Sequence, residues 1–141
     1  MRRTSIALPL VALAVAGGCR DVVAVSPELP PSARPLAPLA VYADWWRATE
    51  ECSGASGDLA RVRWFVVPES DSFSYRGVRY DGYWWNEVHW ITLAAARVQD
   101  PTIVRHEMLH DLLSRGDHPP EYFQRRCAAI VACNEDCRTG A

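Results

Sequence analysis

The chain has 141 residues, of which 49% are hydrophobic and 23% are charged, and its formal net charge is −2. This length suffices for one hydrophobic core rather than two, and the composition is that of an ordinary globular domain. All 15 Lys+Arg side chains are arginines and they form no basic block, so we expect no nucleic-acid partner.

The segment 1–18 has the pattern of a secretory signal peptide. Arg2 and Arg3 precede an apolar run over 6–16, and small residues follow it. This run is too short to remain as a membrane span. The letters VAGGC, which end at Cys19, resemble a bacterial lipobox. That resemblance implies that Cys19 is lipidated and becomes the first mature residue.

The residue after Cys19 bears on where the lipid-anchored protein would reside. It is Arg20 rather than aspartate, and by resemblance to bacterial sorting signals this favours the outer membrane over the inner. The domain would then face the periplasm or the exterior. Plain secretion, with cleavage near Cys19, is the alternative.

Residues 19–40 read as a tether between the lipid and the folded domain. Five of the ten prolines lie in this stretch. Such a segment cannot build a core and tends toward extended polyproline II structure. The expected organisation is therefore a signal peptide over 1–18, a lipidated tether over 19–40 and one domain over 41–141.

Hydrophobic periodicity and turn residues divide the domain into helices and strands. The expected elements are a helix over 39–52, a strand over 59–67, a polar loop or hairpin over 70–82, a strand over 83–93, a helix over 101–115 and a helix from 120 toward 133. Runs of helix and strand in this order predict a small α+β domain.

Four cysteines remain once Cys19 is assigned to lipid, and in an exported domain they predict two disulfides with three possible pairings. A helix from Pro120 would separate Cys127 from Cys133 by about 9 Å along its axis, beyond disulfide reach. We therefore favour a Cys52–Cys127 bond together with a Cys133–Cys137 bond.

The helix over 101–115 carries the chemistry. Asp100 is suited to cap its start, Pro101 to occupy its first position and Gly116 to end it. Within it, His106 and His110 are spaced to lie one turn apart on the same face.

Two imidazoles in that arrangement can bind one Zn²⁺, and they form the intact motif HExxH with the intervening Glu107. Glu107 would hold a water rather than bind the metal. The chemistry expected of the motif is peptide-bond hydrolysis with a zinc-bound water as nucleophile and Glu107 as general base.

At this motif the sequence resembles the zincin metallopeptidases, over roughly residues 87–122. The resemblance implies an active-site helix packed on a short mixed sheet. It also implies that a strand over 87–93, including Val88 and Trp90, forms the sheet edge that holds an extended peptide substrate. Tyr122 is the residue that could donate to an oxyanion, as zincin tyrosines do.

The third zinc ligand follows the second histidine by an unusual spacing. Metzincins have HExxHxxGxxH, whereas this chain has Leu113 at the glycine position and reaches its next histidine at His118. We favour His118 as the third ligand. Asp117, Glu121 and a distant Glu135 of gluzincin type are the rivals.

Other side chains have structural explanations at this stage. Asp111 follows a ligand and could orient a histidine, but we favour a solvated helix residue. His89 is expected to be a strand residue, and the Trp and Tyr side chains of 80–90 to pack in the core or at its rim. Two other functions stay open. One is a catalytically silent, zinc-stabilised binding lipoprotein, and the other is a carbohydrate-binding lipoprotein that uses the tryptophans.

Overall fold

The structure is a computed structural model and describes residues 27–133. The predicted signal peptide, the lipid site Cys19, and Glu135 and Cys137 lie outside the described residues. Within this range helices pack on a four-stranded mixed sheet, beside a two-stranded sheet. The predicted small α+β fold is therefore confirmed.

Six strands build the two sheets. In chain order they are β1 (Arg34–Pro35), β2 (Arg63–Val67), β3 (Phe73–Tyr75), β4 (Val78–Tyr80), β5 (Gly82–Trp85) and β6 (Trp90–Ala94). The main sheet has the order β1-β2-β6-β5, with β6 parallel to β2 and antiparallel to β5. Strands β3 and β4 form the separate hairpin. Strand β5 consequently lies at an edge of the main sheet.

The strand predicted over 83–93 is two strands joined by a turn. Trp85 pairs with Trp90 across the hairpin, and residues 86–89 form the turn between them. His89 lies in this turn with a φ of 54°, so it is not the strand residue that the sequence suggested. The error arose because both strands are rich in aromatic and β-branched residues, and no glycine or proline marks the turn 86–89 between them.

Helix α1 (Tyr42–Ser53) closely matches its prediction and ends where Gly54 adopts a left-handed φ of 73°. Before strand β2 the chain first makes a short 3₁₀ turn, Leu59–Arg61, so only the second half of the predicted strand 59–67 is extended. The main core lies between the sheet and the two long helices. Its fully buried side chains include Tyr42, Ile91, Leu93, Val104 and Met108.

Helix α2 (Pro101–Leu113) begins as predicted. The Asp100 carboxylate accepts hydrogen bonds from the backbone N–H groups of Thr102 and Ile103, and Pro101 occupies the first position. The helix ends earlier than expected, because Ser114 already adopts a left-handed φ of 51°. The predicted stop at Gly116 therefore comes two residues too late.

Only the first part of the segment after Pro120 is helical, and it is a π-helix rather than the long regular helix that the sequence predicted. A π-type turn, Glu121–Arg126, is closed by a hydrogen bond from Cys127 N–H to the Tyr122 carbonyl at 2.9 Å. The predicted Cys52–Cys127 disulfide is confirmed, and it joins this segment to helix α1. The long helix that had favoured this pairing was wrong, so the pairing is confirmed without that argument.

The fold begins before the predicted domain boundary at residue 41. Arg34 and Pro35 pair with Val66 and Phe65 of strand β2, and Leu36 packs against the core. Residues 34–36, which the sequence assigned to a tether, therefore belong to the folded part, because backbone pairing adds Arg34–Pro35 to the sheet as an edge strand. Within residues 27–133, neither long helix combines the length and the apolar character that crossing a membrane requires.

Candidate metal centre and active-site cleft

Three histidine side chains converge above helix α2. The Nε2 atoms of His106 and His110 are 3.1 Å apart, and the Nε2 atom of His118 lies 3.1 Å from the first and 3.2 Å from the second. Nitrogens bound to one zinc ion at about 2.0–2.1 Å, with near-tetrahedral angles, are separated by roughly 3.3 Å. The triangle of nitrogen atoms therefore has the dimensions of a three-histidine metal site.

Backbone carbonyls fix how two of these rings are protonated. His106 Nδ1 donates to the Ala132 carbonyl at 2.7 Å, and His110 Nδ1 donates to the Arg115 carbonyl at 2.8 Å. A carbonyl can only accept, so in each neutral ring the proton lies on Nδ1 and the Nε2 atom presents a lone pair. Lone pairs that face each other at this distance repel, and a cation between them removes the repulsion.

The same two rings resist protonation. Burial lowers the pKa of His106 to about 4. Burial, together with the neighbouring His106, lowers the pKa of His110 to about 3. Metal ions bind the neutral imidazole, so protons compete weakly for these two ligands near neutral pH.

Phe123 forms the apolar support of the histidine cluster. It is fully buried, and its ring centroid lies 4.9 Å from the centroid of each of the three imidazoles. The π-type turn and the Cys52–Cys127 disulfide hold this ring in place. The C-terminal segment thus supplies the Ala132 carbonyl and the Phe123 ring to a site whose first two histidines belong to helix α2.

Glu107 lies beside the cluster in an apolar environment. It is 6% exposed, and burial raises the pKa of its carboxyl to about 8, while the backbone N–H of Trp84 works in the opposite direction by donating to it. Strand β5 approaches this carboxyl closely at Gly82. A Cβ atom at position 82 would lie 2.8 Å from Glu107 Oε1, so only glycine leaves room for the carboxyl there.

Strand β5 turns half of its backbone groups toward this cleft. Asp81 O accepts from Ala94 N–H at 2.9 Å, and Tyr83 is opposite Thr92 in the β5–β6 register. Bonding alternates along an antiparallel strand, so the backbone groups of Gly82 and Trp84 point away from β6 to the open edge. The bond from Trp84 N–H to Glu107 agrees with this orientation.

The histidines and Glu107 line a cleft of about 450 Å³. One wall comes from the β3–β4 hairpin and strand β5, and the other from helix α2 and the segments that follow it. Its lining residues include Arg79, Tyr80, Gly82, Tyr83, Ile103 and Ala132. This volume lies within the range of small-ligand sites and is open to a substrate.

The strand beside the cleft is not the one that the sequence suggested. Val88 lies in the β5–β6 turn, and Trp90 lies in the interior strand β6, where its ring packs 5.1 Å from Phe65. Neither lines the cleft, and the edge strand beside the cleft is Gly82–Trp85. Tyr122 also lies outside the cleft lining and packs beside the cluster of Leu109 and Phe123.

The rival third ligands occupy other surroundings. Asp117 forms an ion pair with Arg115 at 2.6 Å, and Glu121 forms one with Arg125 at 2.7 Å. The described residues bring only His118 to the two helical histidines as a possible metal ligand. Glu135, outside the described range, is not placed.

Asp111 is buried, which corrects the expectation of a solvated side chain. It accepts hydrogen bonds from Trp84 Nε1 at 2.7 Å and from His89 Nδ1 at 3.0 Å. The Trp84 ring in turn lies nearly parallel to the His110 ring, with an interplanar angle of 9°. The sequence did not indicate these contacts or the close approach of Gly82, because each depends on how strand β5 docks on helix α2.

The residues fit a metal ion. Three converging imidazoles form a donor set suited to a divalent transition metal, and all three line the cleft. The His106–His110–His118 cluster can therefore hold a metal ion. Comparisons with protein-family models, with curated proteins and with solved structures each returned no match.

The buried carboxyl predicts a pH-dependent difference between the metal-free wild type and Glu107→Gln. The folded-state pKa of Glu107, about 8, is above its ordinary value of 4.5, so wild-type stability falls as pH rises through this window. The glutamine does not titrate, so the stability of the variant relative to the wild type rises over the same pH range. At pH 8 we expect this gain, relative to pH 5, to reach roughly 5–10 °C in melting temperature.

Thermal melts of both chelator-treated proteins at pH 5, 6.5 and 8 measure this gain. Any constant effect of the substitution cancels, because only the change with pH is compared. A difference in melting temperature that stays flat across the three pH values would contradict a raised pKa at Glu107.

Proposed function

We propose that this domain is a zinc-dependent peptidase of zincin type that acts at the bacterial cell envelope. The observation that carries the proposal is the convergence of three imidazole nitrogens beside a buried glutamate in an open cleft. A structural zinc site is closed by four protein ligands, whereas a catalytic one has three and an open position. A glutamate adjacent to the first ligand has no use in a purely structural site.

Zinc is the metal that the donor set and the setting favour. Imidazole binds several transition metals, but three histidines with a coordination position left open are typical of hydrolytic zinc. The hydrogen bonds that orient the ligands are also typical of zinc sites, since His106 and His110 each donate the other ring N–H to a backbone carbonyl.

Bound zinc would polarise the scissile carbonyl and lower the pKa of a water at the open position. The chain's own part in the reaction centres on Glu107. The positive charge of a metal ion at the histidine cluster would favour the ionised form of the Glu107 carboxyl. This carboxylate can then accept a proton from the attacking water. Glu107 would next deliver that proton to the leaving amine nitrogen. The Trp84 N–H bond and the close backbone of Gly82 hold the carboxyl for both transfers.

The open edge of strand β5 offers a way to hold an extended peptide. The outward-facing N–H and C=O groups of Gly82 and the C=O group of Trp84 can pair with a substrate main chain, which allows varied side chains. Tyr80 and Tyr83 stand beside this edge and can contact the substrate's side chains. We propose this edge as the binding site in place of the 87–93 strand.

The location follows from the N-terminal sequence alone. A signal peptide over 1–18 and a lipid on Cys19 would anchor the domain to the membrane, with Arg20 favouring the outer one. An oxidising compartment agrees with the Cys52–Cys127 disulfide.

Metal analysis and a peptide-library digest of the mature protein test the proposal together. We expect close to one zinc per chain, and cleavage that a chelator abolishes and added zinc restores. Absence of metal from the purified protein, with none taken up on titration, would refute the metal site. Bound zinc with no cleavage of any library peptide would favour the silent binding lipoprotein instead. Glycan affinity that survives chelation would favour the carbohydrate-binding reading.

A further inference from the structure

A buried carboxylate lies one residue beyond the second histidine of the motif. The Asp111 side chain is 6% exposed. A single oxygen, Oδ1, accepts both the bond from Trp84 Nε1 at 2.7 Å and the bond from His89 Nδ1 at 3.0 Å. Burying a carboxylate is unfavourable unless strong hydrogen bonds compensate for lost water, so these two bonds are integral to the packing of α2.

Trp84 contacts two residues of the candidate site on helix α2, His110 and Glu107. Its indole lies nearly parallel to the His110 imidazole, at 9° and 6.0 Å between ring centroids. Its backbone N–H donates to the Glu107 carboxyl. A shift of this one residue would therefore move the wall behind a metal ligand and the donor to the general base together.

The other donor to Asp111 is held from outside the site. His89 Nδ1 donates to Asp111, while His89 Nε2 accepts from the Arg61 guanidinium at 2.8 Å. These two bonds fit a single neutral tautomer of His89. His89 has a φ of 54°, an uncommon conformation for a residue other than glycine, which the bonds to both neighbours help to maintain.

We infer that Asp111 is a positioning residue of the metal centre. Its carboxylate locks the Trp84 indole against His110, and through Trp84 it sets the orientation of that ligand and of Glu107. The oxygen Oδ1 is essential to the lock because it accepts hydrogen bonds from two donors at once. This inference rests on the metal-binding part of the proposed function, but not on the peptidase activity.

Substitutions at Asp111 test the role on the mature protein. Zinc affinity is measured by competition with a chromogenic chelator, and ligand geometry by the visible spectrum of the cobalt(II)-substituted protein. Loss of a residue that orients a ligand typically weakens metal binding by about 10–100-fold, and we expect this of Asp111→Ala. Asp111→Asn retains an oxygen at the Oδ1 position, so it should recover much of the affinity. A merely structural role would lower the melting temperature and leave the cobalt spectrum unchanged.

A double-mutant cycle shows whether Asp111 acts through Trp84. Trp84→Phe keeps an aromatic ring beside His110 but removes the N–H donor. Asp111→Ala should therefore weaken zinc binding far less in the Trp84→Phe background than in wild type. Asp44→Asn, on the exposed face of helix α1, is the matched control and should leave zinc affinity unchanged.

Each outcome decides the inference. Wild-type zinc affinity and an unaltered cobalt spectrum in folded Asp111→Ala would overturn it, and so would fully additive effects in the cycle. If Asp111→Ala does not fold, Trp84→Phe alone decides, and an unchanged affinity and spectrum there would overturn it. A wild-type protein that binds no metal would instead remove the proposed function and this inference together.

Discussion

Replacing any one of the three clustered histidines with alanine is expected to weaken zinc binding by at least about a hundredfold. A four-ligand structural zinc site releases about 10–16 kcal/mol on binding, so each ligand contributes roughly 2.5–4 kcal/mol. His106→Ala and His110→Ala remove ligands from one rigid helix, whereas His118→Ala removes the ligand from the loop. Because each variant leaves two protein ligands, peptide cleavage should disappear with the metal. Competition with a chromogenic chelator measures the loss.

The rival ligands provide matched controls for His118. Asp117→Asn and Glu121→Gln should retain wild-type zinc affinity, because each carboxylate is exposed and paired with an arginine. Retention of zinc and activity by His118→Ala, with loss in either control, would move the third ligand to that carboxylate. Retention of full zinc content by a His106→Ala, His110→Ala double variant would remove the metal site altogether.

The histidine cluster could be anticipated because its signals are local. The capped start of helix α2 fixes the rotation of His106 and His110, and the next histidine lies a short loop away. What the sequence could not show is the cluster's surroundings. The imidazoles of His106 and His110 donate to the main-chain carbonyls of Ala132 and Arg115. Every residue has such a carbonyl, so the sequence does not indicate which ones act as acceptors.

The edge strand was misplaced for a physical reason of another kind. Trp84, Trp85, Trp90 and Ile91 all face packed surroundings, so the alternation of apolar and polar residues that marks a half-exposed strand is absent. The turn 86–89 contains no glycine or proline, so the two strands then read as one strand instead of a hairpin. The roles of Gly82 and Asp111 follow only from the docking of that hairpin on helix α2.

The C-terminal segment shows tertiary packing overriding local preference. The pattern after Pro120 favours a regular helix, yet the chain forms a single π-type turn. In the observed conformation Phe123 contacts all three imidazoles while Cys127 reaches Cys52. Intrinsic helix propensity does not take such long-range contacts into account.

Glu107→Gln is expected to abolish peptide hydrolysis while leaving the metal and the fold in place. Glu107 is not among the residues that form the metal cluster, so zinc affinity should remain close to wild type. Glutamine is nearly isosteric and can still accept the Trp84 N–H bond through its side-chain oxygen. It cannot accept a proton from water, and general-base catalysis of this kind contributes about 10²–10⁴-fold. We expect kcat to fall by that factor.

Three measurements on one pair of variants make the test of Glu107 decisive. Glu87→Gln is the matched control, because Glu87 lies exposed in the β5–β6 turn and the same chemical change there should alter neither zinc content nor turnover. Peptide cleavage, zinc content and substrate binding are measured on wild type and both variants, and binding by Glu107→Gln should persist along strand β5. Equal, measurable turnover by wild type and Glu107→Gln would show that Glu107 is not the base. Loss of zinc from Glu107→Gln would instead mean that this carboxyl helps to bind the metal, since the isosteric amide leaves the packing around it intact.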